Sequence, residues 1–184
     1  PGSAAAHAAI GGEGMTLGQA LATPRFWAIT LAFTACCAGH SGPIFHMVGY
    51  AISCGLPDFE ASTVYGVAGL GGLAGRVVCG MIADRAGAPP TLVAGLILQA
   101  TAIALWLGVD HAPWLFVLAA VFGFSYGGVM PLYALLVRES FPARLMGTLF
   151  GIVSGSATLG MAIGPVAGGW IYDRFGAYAW MHLY

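Results

Sequence analysis

Five long apolar runs follow one another along the chain, and each is bounded by charged or turn-forming residues. A helix needs about 20 apolar residues to cross the hydrocarbon core of a membrane, so each run is long enough to span it. A sixth run begins near Ala177 and continues to the end of the sequence. The pattern predicts the start of a sixth transmembrane helix after five complete ones, which cover residues 26–51, 61–83, 91–109, 113–137 and 147–172.

Composition places these helices in lipid. Of the 184 residues, 59% are apolar and 7% are charged, whereas soluble domains carry about 25% charged residues. Glycine is abundant, with 29 copies, and in a bilayer small residues let helix backbones approach closely. A net charge of −1 without any lysine excludes the basic surface that nucleic-acid-binding proteins use.

Arginines in the connecting segments predict the orientation of the spans. The side richer in arginine faces the cytoplasm. The cytoplasmic arginines are Arg25, Arg85, Arg138 and Arg144, and the outer one is Arg174.

The segment TLGQALATPRFW, which precedes the first span, is interpreted either as a short interfacial helix capped by Thr16 or as an ordered piece of loop.

The motif G-x-x-x-D-R-x-G occurs twice, as GMIADRAG over residues 80–87 and as GWIYDRFG over residues 169–176. The copies are 169 − 80 = 89 residues apart. The same shift superimposes three further glycine pairs, Gly66 on Gly155, Gly71 on Gly160 and Gly75 on Gly164. Three predicted crossings separate the copies, so they lie on opposite membrane faces. Three-helix units repeated with inverted topology are a building plan of secondary transporters, and we predict such an inverted duplication here.

The residues around these motifs resemble a known family of transporters. GRVVCGMIADRAG, at residues 75–87, resembles the loop signature of the major facilitator superfamily, and residues 138–176 are similar to its tenth-to-eleventh helix region. Residues 26–62 resemble the seventh helix of its oxalate/formate antiporter and monocarboxylate transporter branch. One departure is that the basic residues that usually follow the signature are replaced by Ala88, Pro89 and Pro90.

This resemblance implies an all-α membrane protein. The chain would hold helices seven to eleven and the start of twelve, the C-terminal half of a twelve-helix bundle made of two inverted three-helix repeats. Residues 1–24 would belong to the central cytoplasmic loop, and residues 25–184 would form a truncated transmembrane domain. We therefore expect a piece of a longer protein, whose N-terminal six-helix half is the partner of this chain.

Arg76 is the strongest candidate for substrate binding. It lies eight residues before Asp84, about 12 Å along a helix axis and well inside a hydrocarbon core about 30 Å thick. Gly69, Gly72 and Gly80 leave room on the same helical face. Ionisable groups at this depth usually face the bundle interior, and a guanidinium suits a carboxylate through paired hydrogen bonds. Alternatively, Arg76 extends to the cytoplasmic headgroups or pairs with an acidic residue elsewhere.

The resemblance adds that members of this branch bind the anion with an arginine in this helix. Some of them have an aspartate four residues earlier, where this sequence has Gly72. Proton coupling through a local Asp–Arg pair is therefore not expected. The fifth span also lacks the lysine that oxalate-type members suggest, which disfavours a dicarboxylate held by two cations.

Four further side chains are candidate substrate contacts. His46 precedes Tyr50 by one turn in the first span, and because histidine titrates near neutral pH it could carry a proton or donate to an anion. Tyr126 and Tyr133 are candidate cavity residues of the fourth span. The alternative for each is ordinary packing, and His40 is ranked below His46.

Residues at the ends of the spans are candidate parts of a gate. An aspartate at a helix end can hydrogen-bond the N-terminus of a neighbouring helix and form a latch that breaks when one face opens. We favour a latch for Asp84 and a solvated flanking charge for Asp173. The full set is Gly80, Asp84, Arg85, Gly87, Arg138, Glu139, Asp173 and Arg174.

Two other classes of protein fit the sequence less well. GHSG at residues 39–42 matches the G-x-S-G form of intramembrane serine proteases, but no later histidine is well placed to activate Ser41. A channel would need a polar stripe or a carbonyl filter, which the sequence lacks. The four cysteines show no metal-binding spacing.

The sequence thus predicts a secondary active transporter, and no enzyme. It moves a small, monocarboxylate-like organic anion by alternating access, as a symporter or antiporter, without cofactor or metal. Protons are a candidate coupling ion. The expected location is the cytoplasmic (inner) membrane of a bacterium. The alternative within transport is an exporter of hydrophobic or cationic compounds, in which Arg76 has a structural role.

Overall fold

The computed structural model describes residues 14–175 apart from residues 107 and 110. Five of its helices are long and apolar enough to cross a membrane, which confirms the five predicted spans. The sixth predicted run, from Ala177, lies outside the described residues. The elements are α1 (Leu17–Leu21), α2 (Pro24–Ser53), α3 (Asp58–Ala86), α4 (Ala88–Trp106), α5 (Ala112–Ser140), a 3₁₀ turn (Ala143–Leu145) and α6 (Met146–Phe175).

The helix ends follow local capping chemistry. At the start of α2, the Thr23 hydroxyl accepts the N–H of Phe26 at 3.3 Å, and Pro24 occupies the first turn. Pro89 and Pro90, expected to break a helix, instead lie in the first turn of α4. A proline is tolerated there because its missing N–H would have no partner within the helix in any case. As a result, α4 begins before its predicted span.

A single residue, Gly87, separates α3 from α4. Its φ of 92° lies in the left-handed region, where only glycine avoids a steric penalty, and its N–H donates to Ala83 O at 2.9 Å. The last glycine of the first motif copy therefore permits the abrupt turn between the two helices.

Two helix pairs dominate the packing, α3 with α5 and α2 with α6, and α4 packs on the other side of α5. Both dominant pairs meet at glycines. In the α3–α5 seam, a Cβ atom placed on Gly71, Gly75, Gly123 or Gly127 would overlap the backbone of the facing helix. Small residues thus let the backbones touch, as membrane helices commonly do.

Two contacts of the first seam have counterparts in the second. Gly71 packs on Ala120 as Gly160 packs on Thr34. Gly75 packs on Phe124, and Gly164 has the Ala38 carbonyl among its neighbours, behind Ser41 and Gly42. The α3 and α6 glycines differ by 160 − 71 = 89 and 164 − 75 = 89 residues. Their α5 and α2 partners differ by 120 − 34 = 86 and 124 − 38 = 86 residues. One pair of shifts therefore relates the two seams.

Buried apolar side chains form one cluster in each half of the bundle. The first surrounds Phe33 and Tyr133 and reaches Phe26 at the start of α2. The second surrounds Trp106 and Phe122, near the other ends of the helices. The cavity described below lies on the side of the second cluster, which shares Phe122 with its wall.

The short helix α1 is tied to the end of the bundle where α5 terminates. Its capping box pairs Thr16 with Gln19, whose side-chain oxygen accepts the Thr16 N–H at 2.8 Å. The Arg144 guanidinium donates to the carbonyl of Met15, and the Trp27 indole donates to Leu21 O at 2.9 Å. These bonds fix the segment before α2 against the connection between α5 and α6.

Candidate functional site

A cavity of about 440 Å³ lies between α2, α3 and α5, with one residue from α6. Its polar side chains are Tyr65, Arg76 and Tyr126, and the rest of the wall is glycine or apolar. Of the residues that the structure describes, no carboxylate lines it. The apolar lining comprises Ile44, Phe45, Met47, Ala68, Leu73, Phe122 and Met161, and the glycines are Gly69, Gly72, Gly123 and Gly127.

One face of α3 supplies the polar wall. Tyr65, Gly69, Gly72 and Arg76 are spaced by four, three and four residues, which aligns them along a helix. A Cβ on Gly69 would meet nothing within 4 Å, and one on Gly72 would lie 3.3 Å from Gly123 O. Gly69 therefore leaves open space on this face of α3, whereas Gly72 packs closely on α5. Tyr65 was not singled out from the sequence, although this spacing indicates it.

Among the described residues, Arg76 carries the only positive charge of the cavity wall. It is exposed in this chain and makes no hydrogen bond or ion pair with the residues that the structure describes. Its position in α3 is about 15 Å before the helix end at Ala86 (1.5 Å per residue). The guanidinium thus faces a cavity at membrane depth with its donors unused.

Tyr126 also lines the cavity, from α5. It is half-buried: its ring lies parallel to Phe122 at 6.2 Å and contacts the imidazole of His40 at 4.6 Å between ring centroids. The structure therefore brings two of the five predicted substrate residues, Arg76 and Tyr126, to one cavity. It also places His40 directly against one of them.

The other three predicted substrate residues lie outside the cavity wall. The Nε2 atom of His46 is 3.5 Å from the carbonyl oxygen of Pro165 in α6. The Tyr50 hydroxyl donates to the carbonyls of Trp106 and Val109, at 3.2 and 2.9 Å. The two Tyr50 bonds attach the end of α2 to the last residue of α4 and to the connection that follows it.

Tyr133 lies within the first apolar cluster. It is fully buried, its ring stacks on Phe33 at 4.1 Å, and its hydroxyl donates to Ala32 O at 3.3 Å. Its position is that of a packing residue between α2 and α5.

The charged candidates for a gate lie at the ends of the long helices. Asp84 and Arg85 are in the last turn of α3, Arg138 and Glu139 in that of α5, and Asp173 and Arg174 in that of α6. All six are exposed, and within residues 14–175 none of them pairs with another. Gly80 lies on α3 with open space around its Cβ position, and Gly87 terminates the helix.

The protease-like motif has no catalytic partner in the described part of the chain. Ser41 is fully buried, and its hydroxyl donates to Ala38 O of its own helix at 3.1 Å. It packs against Gly164 of α6. Among the described residues, no three His, Cys, Asp or Glu side chains are grouped to hold a metal ion.

Comparison with known proteins bears on what such a bundle does. The family model of the Major Facilitator Superfamily matches residues 28–183. The chain belongs to this superfamily. It is therefore a multi-pass integral membrane protein from a family of transporters, in agreement with its five spans.

Individual members of the superfamily resemble the chain at 35% identity or less in the following three cases. Monocarboxylate transporter 13 of Rattus norvegicus is 26% identical over 92% of the chain, and monocarboxylate transporter 11 of Homo sapiens is 28% identical over 87%. Multidrug resistance protein MdtH of Enterobacter sp. is 35% identical over 51% of the chain. The chain spans 40%, 36% and 24% of the lengths of these three relatives.

Proposed function

We propose that this chain is the C-terminal six-helix half of a secondary active transporter that carries a small organic anion by alternating access. The observation that supports this most is Arg76. Its guanidinium borders a cavity inside the membrane span, and no described side chain pairs with it. A cation at membrane depth is costly unless something balances its charge, and an anionic substrate does so when it binds.

The geometry favours a carboxylate with a compact carbon skeleton. The planar guanidinium donates two parallel hydrogen bonds to a carboxylate, and the Tyr65 and Tyr126 hydroxyls offer further donors on the same wall. The remaining apolar surface suits carbon atoms. We assign Arg76, Tyr65 and Tyr126 to the substrate site, and leave His46, Tyr50 and Tyr133 outside it.

The paired seams support an inverted repeat. If α2, α3 and α4 correspond to α5, α6 and the run after it, the α3–α5 contact and the α2–α6 contact become equivalent. The constant shifts of 86 and 89 residues are what this exchange requires. A central site between inverted repeats can open to either face, because each half can adopt the conformation of the other.

Within this proposal, Asp84 forms a latch with a neighbouring helix N-terminus when the cytoplasmic face is closed. Gly80, Arg85 and Gly87 complete the latch segment. Arg138 and Glu139 lie at the end of α5 on the same side and join the charge network there. Asp173 and Arg174, at the other face, act as flanking charges that set orientation.

An exporter of hydrophobic or cationic compounds is the second candidate. It is supported by the largely apolar wall of the cavity and by the similarity of about half the chain to a multidrug resistance protein. In that case, Arg76 would be neutralised by an acidic residue of the other half. The two candidates differ in what the substitution of Arg76 does to carboxylate uptake.

The test uses the protein that joins this chain to its N-terminal half, reconstituted in proteoliposomes. Uptake of labelled formate, pyruvate, lactate, benzoate, oxalate and succinate is measured for the wild type, Arg76→Gln and the matched control Arg25→Gln. A hydrogen bond to a charged group contributes about 1.5–3 kcal/mol, so Arg76→Gln should raise the half-saturating concentration about tenfold to a hundredfold. Arg25→Gln should not.

Transport of no carboxylate, or normal uptake by Arg76→Gln, would contradict the anion proposal. Export of ethidium by the same vesicles would then support the exporter.

A further inference from the structure

A second polar group, which we call the His40 cluster, lies beside the cavity. It consists of Cys36 and His40 of α2, Gln99 of α4 and Tyr126 of α5. The Nδ1 atom of His40 is 3.8 Å from the Cys36 sulfur, and the Gln99 amide nitrogen is 3.7 Å from the same sulfur. The imidazole also contacts the ring of Tyr126, which lines the cavity on its other side.

Two atoms of this cluster are buried without a hydrogen-bond partner among the described residues, Nε2 of His40 and Oε1 of Gln99. His40 is 0% exposed. An unpaired buried polar atom costs about 1–3 kcal/mol, so most such groups are paired, and an exception calls for an explanation. In a membrane, an ionisable side chain in this situation indicates a functional site.

The position of His40 in the bundle adds to this argument. The shift that relates α2 to α5 connects His40 to residue 40 + 86 = 126, which is Tyr126. The two side chains that occupy equivalent positions therefore touch each other, which places the pair where the two repeats meet. In an inverted repeat, a group at that point lies midway between the two membrane faces, as a site that must be reached from either side requires.

Within the described part of the chain, no acidic side chain is shown in contact with His40. From α4 and from residues 146–170 of α6, no titratable side chain faces it, because those segments contain none. Among the described residues, the titratable side chains in contact with His40 are Cys36 of its own helix and Tyr126 of α5. The nearest charged group shown on the cavity side is Arg76 of α3, which lines the same wall as Tyr126. A charged imidazole would thus have no counter-ion until an anion enters the cavity.

From this arrangement we infer that His40 binds the proton that is transported together with the anion. The inference rests on the function proposed for the Arg76 cavity. In a conformation that exposes it to the cavity, Nε2 of the neutral imidazole takes a proton from hydronium: an N–H bond forms, an O–H bond breaks and a water molecule is left. The anion at Arg76 balances the new charge, so one proton and one monovalent anion cross as a neutral pair. In the opposite-facing state the anion leaves, and Nε2 returns the proton to water.

The test separates anion binding from proton coupling. Proteoliposomes of the complete protein are assayed in two ways with the labelled monocarboxylate that the wild type carries fastest in the panel above. The first assay measures exchange at equal pH on both sides. The second measures accumulation driven by an alkaline interior, with subtraction of vesicles that lack protein. One proton for each anion allows about tenfold accumulation for each unit of pH difference.

We expect His40→Gln to keep exchange but to lose accumulation, so that the inside-to-outside ratio falls from about ten to about one. His46→Gln, one turn and a half further along α2, and the loop control His111→Gln should keep both activities. His46→Gln thereby distinguishes the two histidines of this helix.

Several outcomes would overturn the inference while the anion proposal stands. They are accumulation by His40→Gln at the wild-type ratio, loss of exchange in folded His40→Gln, and a wild type that exchanges the anion without pH-driven accumulation. A wild type that exchanges no carboxylate overturns both proposals.

Folding of the variants is checked by size-exclusion chromatography in detergent. If His40→Gln does not insert, Gln99→Leu provides the second measurement. It keeps His40 and removes the amide oxygen of the cluster, so the pH midpoint of net uptake should move to lower pH. An unchanged midpoint would contradict a proton site in this cluster.

Discussion

The α3–α5 seam and the α2–α6 seam both bring glycines against the backbone of the facing helix, but the second seam adds hydroxyl side chains of α2. Gly75 meets the Phe124 carbonyl and Gly160 meets the Thr34 carbonyl, whereas the atom nearest to Gly164 is the Ser41 hydroxyl. Another hydroxyl, that of Thr34, lies 2.8 Å from the Ser156 hydroxyl across the second seam. The same helix crossing is thus held by backbone contact in one case and partly by side-chain hydrogen bonds in the other.

The comparison also shows where the two seams differ in chemistry. The shift of 89 residues relates Arg76 to Pro165 and Gly72 to Met161. Gly72 and Met161 both line the cavity, but the arginine in α3 has no charged counterpart in α6. Close packing is shared by the two seams, and the candidate binding chemistry is present in one.

The largest effect is expected from filling the tighter seam. Gly75→Ala places a methyl group on the Phe124 carbonyl, and because backbone atoms cannot move aside, the helices must separate. Overpacking of this kind costs about 1–3 kcal/mol or more. Thermal unfolding in detergent measures it against Gly66→Ala, whose Cβ has open space. Equal stability of the two variants would show that the α3–α5 backbones are not in contact.

The second largest effect is expected from Arg76, the charged side chain of α3 that has no counterpart in α6. Arg76→Lys retains the charge but loses the planar pair of donors. We expect the half-saturating concentration for the carried carboxylate to rise about tenfold, equivalent to about 1.4 kcal/mol. Uptake assays in proteoliposomes measure it. Unchanged kinetics would indicate that charge without paired hydrogen bonds is sufficient.

A smaller effect is expected at the far end of the same helix face. Tyr65→Phe removes one hydroxyl from the cavity wall and leaves the ring in place. The loss of a neutral hydrogen bond to the substrate costs about 0.5–1.5 kcal/mol, which corresponds to about a two- to tenfold rise in half-saturating concentration. The control Tyr133→Phe alters a tyrosine away from the cavity and should leave that concentration unchanged even if stability falls.

The smallest effect should come from the hydroxyl pair of the α2–α6 seam. A double-mutant cycle of Thr34→Val and Ser156→Ala isolates the contact between them. Side-chain hydrogen bonds between membrane helices contribute about 0.6 kcal/mol on average. Unfolding measurements on the four proteins give the coupling, and a value near zero would leave the glycine contacts as the main interaction of that seam.

The spans could be predicted from the sequence because apolar run length alone decides whether a helix crosses a membrane. The α4 start could not, since Pro89 and Pro90 are compatible with a first helical turn as well as with a break. The spacing of the two motif copies also identified glycines, such as Gly75 and Gly164, that contact facing helices.

The candidate site was only partly predictable. Arg76 was identified from its depth, because a charge in lipid is unusual wherever its neighbours lie. The sequence could not distinguish Tyr126 from Tyr133, because both lie on α5 and the rotation of α5 against α2 decides which of them borders the cavity. In the structure Tyr126 lines the cavity, whereas the Tyr133 hydroxyl donates to Ala32 O. The sequence could not distinguish His40 from His46 either. The contact between His40 and Tyr126 depends on how α2 packs against α5, a helix that is distant in sequence.

The one-residue joint at Gly87 has a mechanical consequence. The connection between α2 and α3 has four residues, 54–57, whereas the joint at Gly87 offers no spare chain length. A tilt of α3 at the Gly87 joint would therefore carry the start of α4 with it, as a hairpin that turns about the torsions of one residue. The four-residue connection at the opposite end of α3 leaves α2 and α3 more freedom to move apart.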